Sequence, residues 1–309
     1  MAPRAPSSHG APPLPGDEIR LDDGHGGDLL LYHLKRDELP RTSPLLLLHS
    51  INAAASAYEV RPLYLRLAPS RPTYALDLPG FGGSDRSPRP YTPRLYTDAI
   101  HAAVAHIQGQ HPDAAVDALA LSLSCEFLAR AATENPRAFR TLALVSPTGL
   151  AGTRRWEGPP LSTRGSTILH RILTMSWWRR GLFGLLTRPR VVRYFLARTF
   201  GTSTIDEGLW AYAVQTARQP NAEHAPLTFA AGLLFSADIT SLYEGLTMPV
   251  WISHGVRGDF TNYRGLDRLR VPQPWSRAVF ETGALPHFEL PDPFVAAYTE
   301  FLEQIDGLR

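Results

Sequence analysis

The sequence predicts an α/β protein: a doubly wound, mostly parallel central sheet, preceded by an antiparallel hairpin and interrupted late in the chain by an inserted helical lid. Three observations carry this. Short apolar runs without alternation, LLLLHS, PTYALDLP and VDALALSLS, are each followed by a loop and a helix-like stretch, the pattern of strands covered by helices on both faces. The series resumes in TLALVSPTG, MPVWISHG and RAVFETG. Between these two groups, residues 151–245 lack strand runs and carry aromatic-rich helical patterns such as ILHRILTMSWWRRGLFGLL.

Taken in order, residues 1–16 are rich in Pro, Ala, Ser and Gly with no apolar centre, so they read as a flexible arm and not as a signal peptide. IRLDDGHGGDLLLYHLKR alternates around Gly24, Gly26 and Gly27, which predicts a strand, a glycine turn and a second strand. Residues 17–150 and 246–309 then form the core, and 151–245 the lid. With 309 residues, 44% of them hydrophobic, the chain can bury one large core. Pure apolar runs such as Leu45 to Leu48 are strand-sized, so no membrane span is expected. A net charge of +2 and the lack of interleaved basic and aromatic residues argue against a nucleic-acid binder. Cys125 is the only cysteine, which excludes an internal disulfide and fits a reducing cytoplasm.

The chemistry concentrates at strand ends. Ala120-Leu121-Ser122-Leu123-Ser124 joins the strand VDALAL to the helix CEFLARAATENP, and small residues two before and two after the serine suit a sharp strand-to-helix turn. Alone, such a serine reads as an ordinary strand-end residue capping a helix. His49-Ser50 closes one strand, however, and Asp77-Leu78-Pro79-Gly80-Phe81-Gly82-Gly83-Ser84 closes the next. On these residues the chain resembles the α/β-hydrolase superfamily, in its lid-bearing esterase-like branch, across residues 18–305.

The resemblance implies Ser122 as nucleophile and the backbone N–H groups of Ile51 and Leu123 as an oxyanion hole, with His49, Ser50 and His254 as supporting residues. Its chain order of serine, acid, histidine is met by Ser122, Asp259 and His287. Asp259 lies one residue beyond the usual G-x-x-D position, and its other reading is a turn cap before Phe260-Thr261-Asn262. In Gly283-Ala284-Leu285-Pro286-His287-Phe288-Glu289, Ala284 stands where the family has histidine. His287 completes the triad if the turn lets it swing over Ser122. Otherwise it sits on the first turn of the last helix, facing solvent or the lid. Cys125 reads as a small hydrophobe.

The expected function is therefore a serine hydrolase that cleaves a carboxylic ester, or a thioester or amide, of an apolar acid through an acyl-enzyme. It needs no metal or cofactor. Two alternatives stay open: a catalytically weak relative that binds an apolar ligand or partner, and an acyl transferase or C–C hydrolase using the same pocket. In the lid, ten arginines between Thr153 and Phe200 face only Glu157, beside Trp177, Trp178, Leu182, Phe183, Leu185 and Leu186. That segment suits an anionic amphiphile, an acidic carrier or a membrane surface. The plainer reading, preferred because a lid needs such a stripe anyway, is that the apolar stripe covers the site while the arginines solvate its outer face.

Overall fold

The chain enters the fold through a hairpin. Strands β1 (Asp17–Asp22) and β2 (Asp28–His33) pair antiparallel with Asp22 opposite Asp28. Gly24 and Gly26 take φ of 74° and 82° in the turn, a region that favours glycine. The computed structural model describes residues 13–36, 42–112, 114–273 and 275–307. Of the expected arm, residues 1–12 lie outside the described residues. Residues 13–16 are a correction: Leu14 is buried, and the carbonyls of Pro13 and Pro15 accept hydrogen bonds from Arg61 and Tyr64.

The first wing of the sheet runs β3 (Leu45–Leu48), α1 (Arg61–Leu67), β4 (Thr73–Asp77), α2 (Pro93–Gln110), β5 (Val116–Leu121), α3 (Ser124–Glu134) and β6 (Phe139–Val145). Six short helices follow before the sheet resumes: α4 (Thr167–Leu173), α5 (Arg179–Leu186), α6 (Pro189–Phe200), α7 (Glu207–Thr216), α8 (His224–Ala230) and α9 (Ile239–Glu244). β7 (Val250–Gly255), β8 (Ser276–Phe280), α10 (Pro286–Glu289) and α11 (Pro291–Gly307) complete the chain. The eight strands form one sheet in the order β1-β2-β4-β3-β5-β6-β7-β8, parallel from β4 to β8.

Two apolar layers explain why the central runs do not alternate. Leu46 and Leu48 of β3, with Ala118 and Ala120 of β5, pack beneath α2 and α3. Leu45, Leu47, Leu119 and Leu121 point the other way, against α1 and α11. Each leucine so buried contributes roughly 1.5–3 kcal/mol. Helix starts follow the local chemistry: Pro93 opens α2, the Thr92 hydroxyl accepts from Leu95 N–H at 3.3 Å, and Asp206 accepts from Leu209 N–H at 2.6 Å to cap α7.

The inserted helices pack on the loops that leave the strands. Thr199 O accepts from Ala284 N–H after β8, Arg198 O accepts from Asp259 N–H after β7, and Tyr212 stacks on Tyr58 after β3. Arg86 donates to Thr216, and Arg130 reaches Asp238 at 2.7 Å.

Candidate active site

Ser122 sits at the expected elbow. It follows β5 at once, takes φ of 53° and donates its N–H to Val145 O at 2.8 Å. A non-glycine residue in the left-handed region is strained, and here the strain turns the chain sharply from β5 into α3. Small flanks permit this. Ala120 is fully buried, and the hydroxyl of Ser124 donates to His49 O, tying the elbow to the end of β3. The Ser122 hydroxyl itself makes no hydrogen bond to any described residue.

The N–H groups of Ile51 and Leu123 likewise donate to no described residue, while their side chains are buried. Leu123 is the cap of the eleven-residue α3, whose positive end faces the same place. The loop carrying Ile51 is held from beneath. Glu59 accepts from Ser50 N–H at 2.8 Å and from Asn52 Nδ2 at 2.6 Å. Ser50 does not take positive φ, so the glycine usual there is not required.

The Asp77 motif is a structural hub. Its buried carboxylate accepts from Ala57 N–H at 2.7 Å, Gly83 N–H at 2.8 Å and Tyr32 OH at 3.0 Å. Burial raises its pKa, and these bonds oppose the shift. Gly82 is needed because a Cβ there would lie 2.0 Å from the carboxylate, at φ of 51°. His49 is spent on the same scaffold: Nδ1 donates to Ser50 O at 2.6 Å, and Nε2 accepts from Leu78 N–H at 3.0 Å. Burial lowers its pKa and keeps it neutral. Cys125 is buried with its thiol on Ala120 O, and burial pushes its pKa up, so it packs and does not react.

The other end differs. Asp259 lies where the insertion meets the β7 loop, and both its oxygens bind the Arg198 guanidinium, at 2.5 and 2.8 Å. That pairing lowers its pKa. The position one residue earlier cannot carry an acid: Gly258 has φ of 81°, and a Cβ there would meet Arg198 O at 2.4 Å. Ala284, reached through the Ser146 hydroxyl on its carbonyl at 2.7 Å, presents no titratable group.

His287 belongs to α10, a four-residue turn separate from α11, and it is fully buried, so it does not face solvent. Nε2 donates to Glu59 O at 2.7 Å, the ring packs against Phe288 and Phe294, and Nδ1 has no partner among the described residues. Burial lowers its pKa to about 4, with the Glu59 bond opposing. No hydrogen bond joins Ser122, Asp259 and His287 among the described residues. His254 stacks on Tyr263 and bonds its own neighbour, Gly255 O, at 2.9 Å.

Reading the sequence missed Glu59, which links the loop carrying Ile51 to His287. Its one sequence signal is that it is the only acid between Glu38 and Asp77. It also missed Glu126, buried one turn after the elbow, which accepts from Arg164, Thr148 and Ser236 N–H and so fastens the insertion to α3.

The family model described as the alpha/beta hydrolase family matches residues 45–297. No curated protein matches the chain. Among solved structures, a probable hydrolytic enzyme from Pseudomonas aeruginosa PAO1 is similar, with a TM-score of 0.71 and 19% identity over 94% of this chain and 95% of that one. The 2-hydroxy-6-oxo-6-phenylhexa-2,4-dienoate hydrolase from Rhodococcus sp. strain RHA1 gives 0.68 and 18% over 93% and 98%. The N-formylmaleamic acid deformylase from Pseudomonas putida S16 gives 0.65 and 18% over 92% and 100%. At such identities the likeness is one of fold.

Proposed function

The chain belongs to the alpha/beta hydrolase family, and on that premise we propose that it binds the carbonyl of a carboxylic ester of an apolar acid at Ser122 and turns it over only slowly. One observation carries this reading: the single imidazole of the last strand's loop, His287, spends its N–H on Glu59 O in a fully buried setting, while Ala284 occupies the position at which the family's sequence pattern has histidine. Asp259 is meanwhile committed to Arg198.

The chemistry follows from what remains. The ester carbonyl oxygen accepts from the N–H groups of Ile51 and Leu123, and Ser122 Oγ approaches the carbonyl carbon. Without a neighbouring base the hydroxyl keeps its proton and is a feeble nucleophile. An oxyanion hole and binding alone leave roughly 10³–10⁴-fold acceleration over water in serine hydrolases stripped of their triad, and a turnover of that order is expected.

A second reading is favoured by a specific feature, the unpartnered Nδ1 of His287. If His287 leaves Glu59 and Asp259 leaves Arg198, Ser122, Asp259 and His287 act as a full triad through an acyl-enzyme that water splits. The same pocket then also suits acyl transfer or C–C cleavage.

Fluorophosphonate labelling with peptide mapping, run beside p-nitrophenyl ester turnover, separates the two. The first reading expects slow labelling, ester turnover unaffected by His287→Asn, and a gain in rate for Ala284→His. Rapid stoichiometric labelling of Ser122, with turnover falling by orders of magnitude in His287→Asn, would overturn it.

A further inference from the structure

We infer that the segment from Ile168 to Trp178 is a docking surface for an anionic lipid bilayer. α4 contains no buried residue, although it carries Ile168, Leu169 and Ile172. Ile168 is 74% exposed and Trp177 78%, and Leu169, Ile172, Met175 and Trp178 are exposed with them. Isolated apolar side chains at a surface are ordinary, but a contiguous group needs a partner. These are contiguous. Ile168 and Ile172 stand four apart on one face of α4, and Met175 lies in the turn just beyond its end. Trp178 Nε1 donates to Ile172 O at 2.7 Å, and Trp177 stacks on Trp178 with ring centroids 5.2 Å apart.

Charge selects the partner. From Ser166 to Arg190 the chain has five arginines and no acid. Arg171, Arg188 and Arg190 are exposed and form no ion pair with a described residue, whereas Arg193 and Arg198 farther along are matched by Glu207 and Asp259. A positive field beside protruding tryptophans suits an anionic membrane surface, where indole rings settle at the headgroup level and arginines meet lipid phosphates. An acidic protein helix would instead need a groove to lie in. The most exposed ring, Trp177, stands out from the surface.

The inference is independent of turnover at Ser122 and is tested on the full chain by co-sedimentation with vesicles of phosphatidylcholine, alone or with roughly one third phosphatidylglycerol. Binding to the anionic vesicles is expected, with weak binding to the neutral ones and release by salt. Trp177→Ser with Trp178→Ser should lower partitioning roughly tenfold or more. Arg171→Gln with Arg188→Gln and Arg190→Gln should weaken only the anionic binding, by roughly fivefold per arginine. Val279→Ser, an exposed apolar site on β8, should change nothing. Absence of vesicle binding would overturn the inference, as would equal binding by the tryptophan variant. So would a patch-dependent dimer, or patch-dependent capture by polyglutamate, in place of vesicle binding.

Discussion

The two ends of the candidate site are built from different materials. Around Ser122 the working groups are backbone: two N–H donors, a strained elbow and a loop carried by Glu59, all fixed by buried hydrogen bonds from β3, β4 and β5. Beyond β7 and β8 the working groups would have to be side chains, and there the inserted helices intervene. Arg198 takes Asp259, the end of α6 fills the space above Gly258, and His287 turns inward to Glu59. Backbone donors survive side-chain substitution, whereas a relay of three side chains fails when one is diverted. The backbone around Ser122 is therefore in place, while among the described residues no hydrogen bond links Ser122, Asp259 and His287.

The largest way to break this contrast is at the hub beneath the nucleophile end. Asp77→Ala leaves Ala57 N–H, Gly83 N–H and Tyr32 OH without their buried acceptor. Each such group costs about 1–3 kcal/mol, so a loss of at least about 3 kcal/mol in denaturant unfolding is expected. A loss under about 1 kcal/mol would mean that the motif does not organise this end.

The acid–base end is tested through pH. His287 takes a proton near pH 6.5 when unfolded but only near 4 when folded. Between those values the unfolded chain binds more protons, so stability is full above 6.5 and falls as pH drops toward 4, by about 3 kcal/mol in all. His49, whose pKa burial also lowers, adds in the same direction. His287→Asn keeps an N–H for Glu59 O but cannot titrate, so its stability should fall less steeply over this window in urea titrations. An unchanged slope would place His287 in a wetter, accessible position and favour the triad reading.

Much of this was legible from residues alone. Leu45 to Leu48 are all buried because both sheet faces are covered, and an unbroken apolar run says so. Ala120 and Ser124 announced the elbow through the crowding they relieve. What stayed hidden depends on long-range pairing. His287 meets Glu59 across 228 residues, and Arg198 meets Asp259 across 61. No local pattern records which of the eleven arginines in the insertion a given carboxylate will find.

The smallest effect sharpens the comparison most directly. Ser122 and Ser146 both hold positive φ, 53° and 49°, at the ends of neighbouring strands. Glycine relieves that strain but costs unfolded-chain entropy, for a net gain of about 0.5 kcal/mol where the side chain makes no contact. The Ser122 hydroxyl makes no hydrogen bond to a described residue, so Ser122→Gly should stabilise the protein by about that amount, while Ser122→Ala keeps the strain and should not. Ser146 donates to Ala284 O at 2.7 Å, a bond contributing about 1 kcal/mol, so Ser146→Gly should be neutral or destabilising. Parallel thermal melts of the three variants read this difference. If Ser122→Gly is no more stable than the parent, the elbow is not strained, and its serine is held by contacts other than those that present a nucleophile.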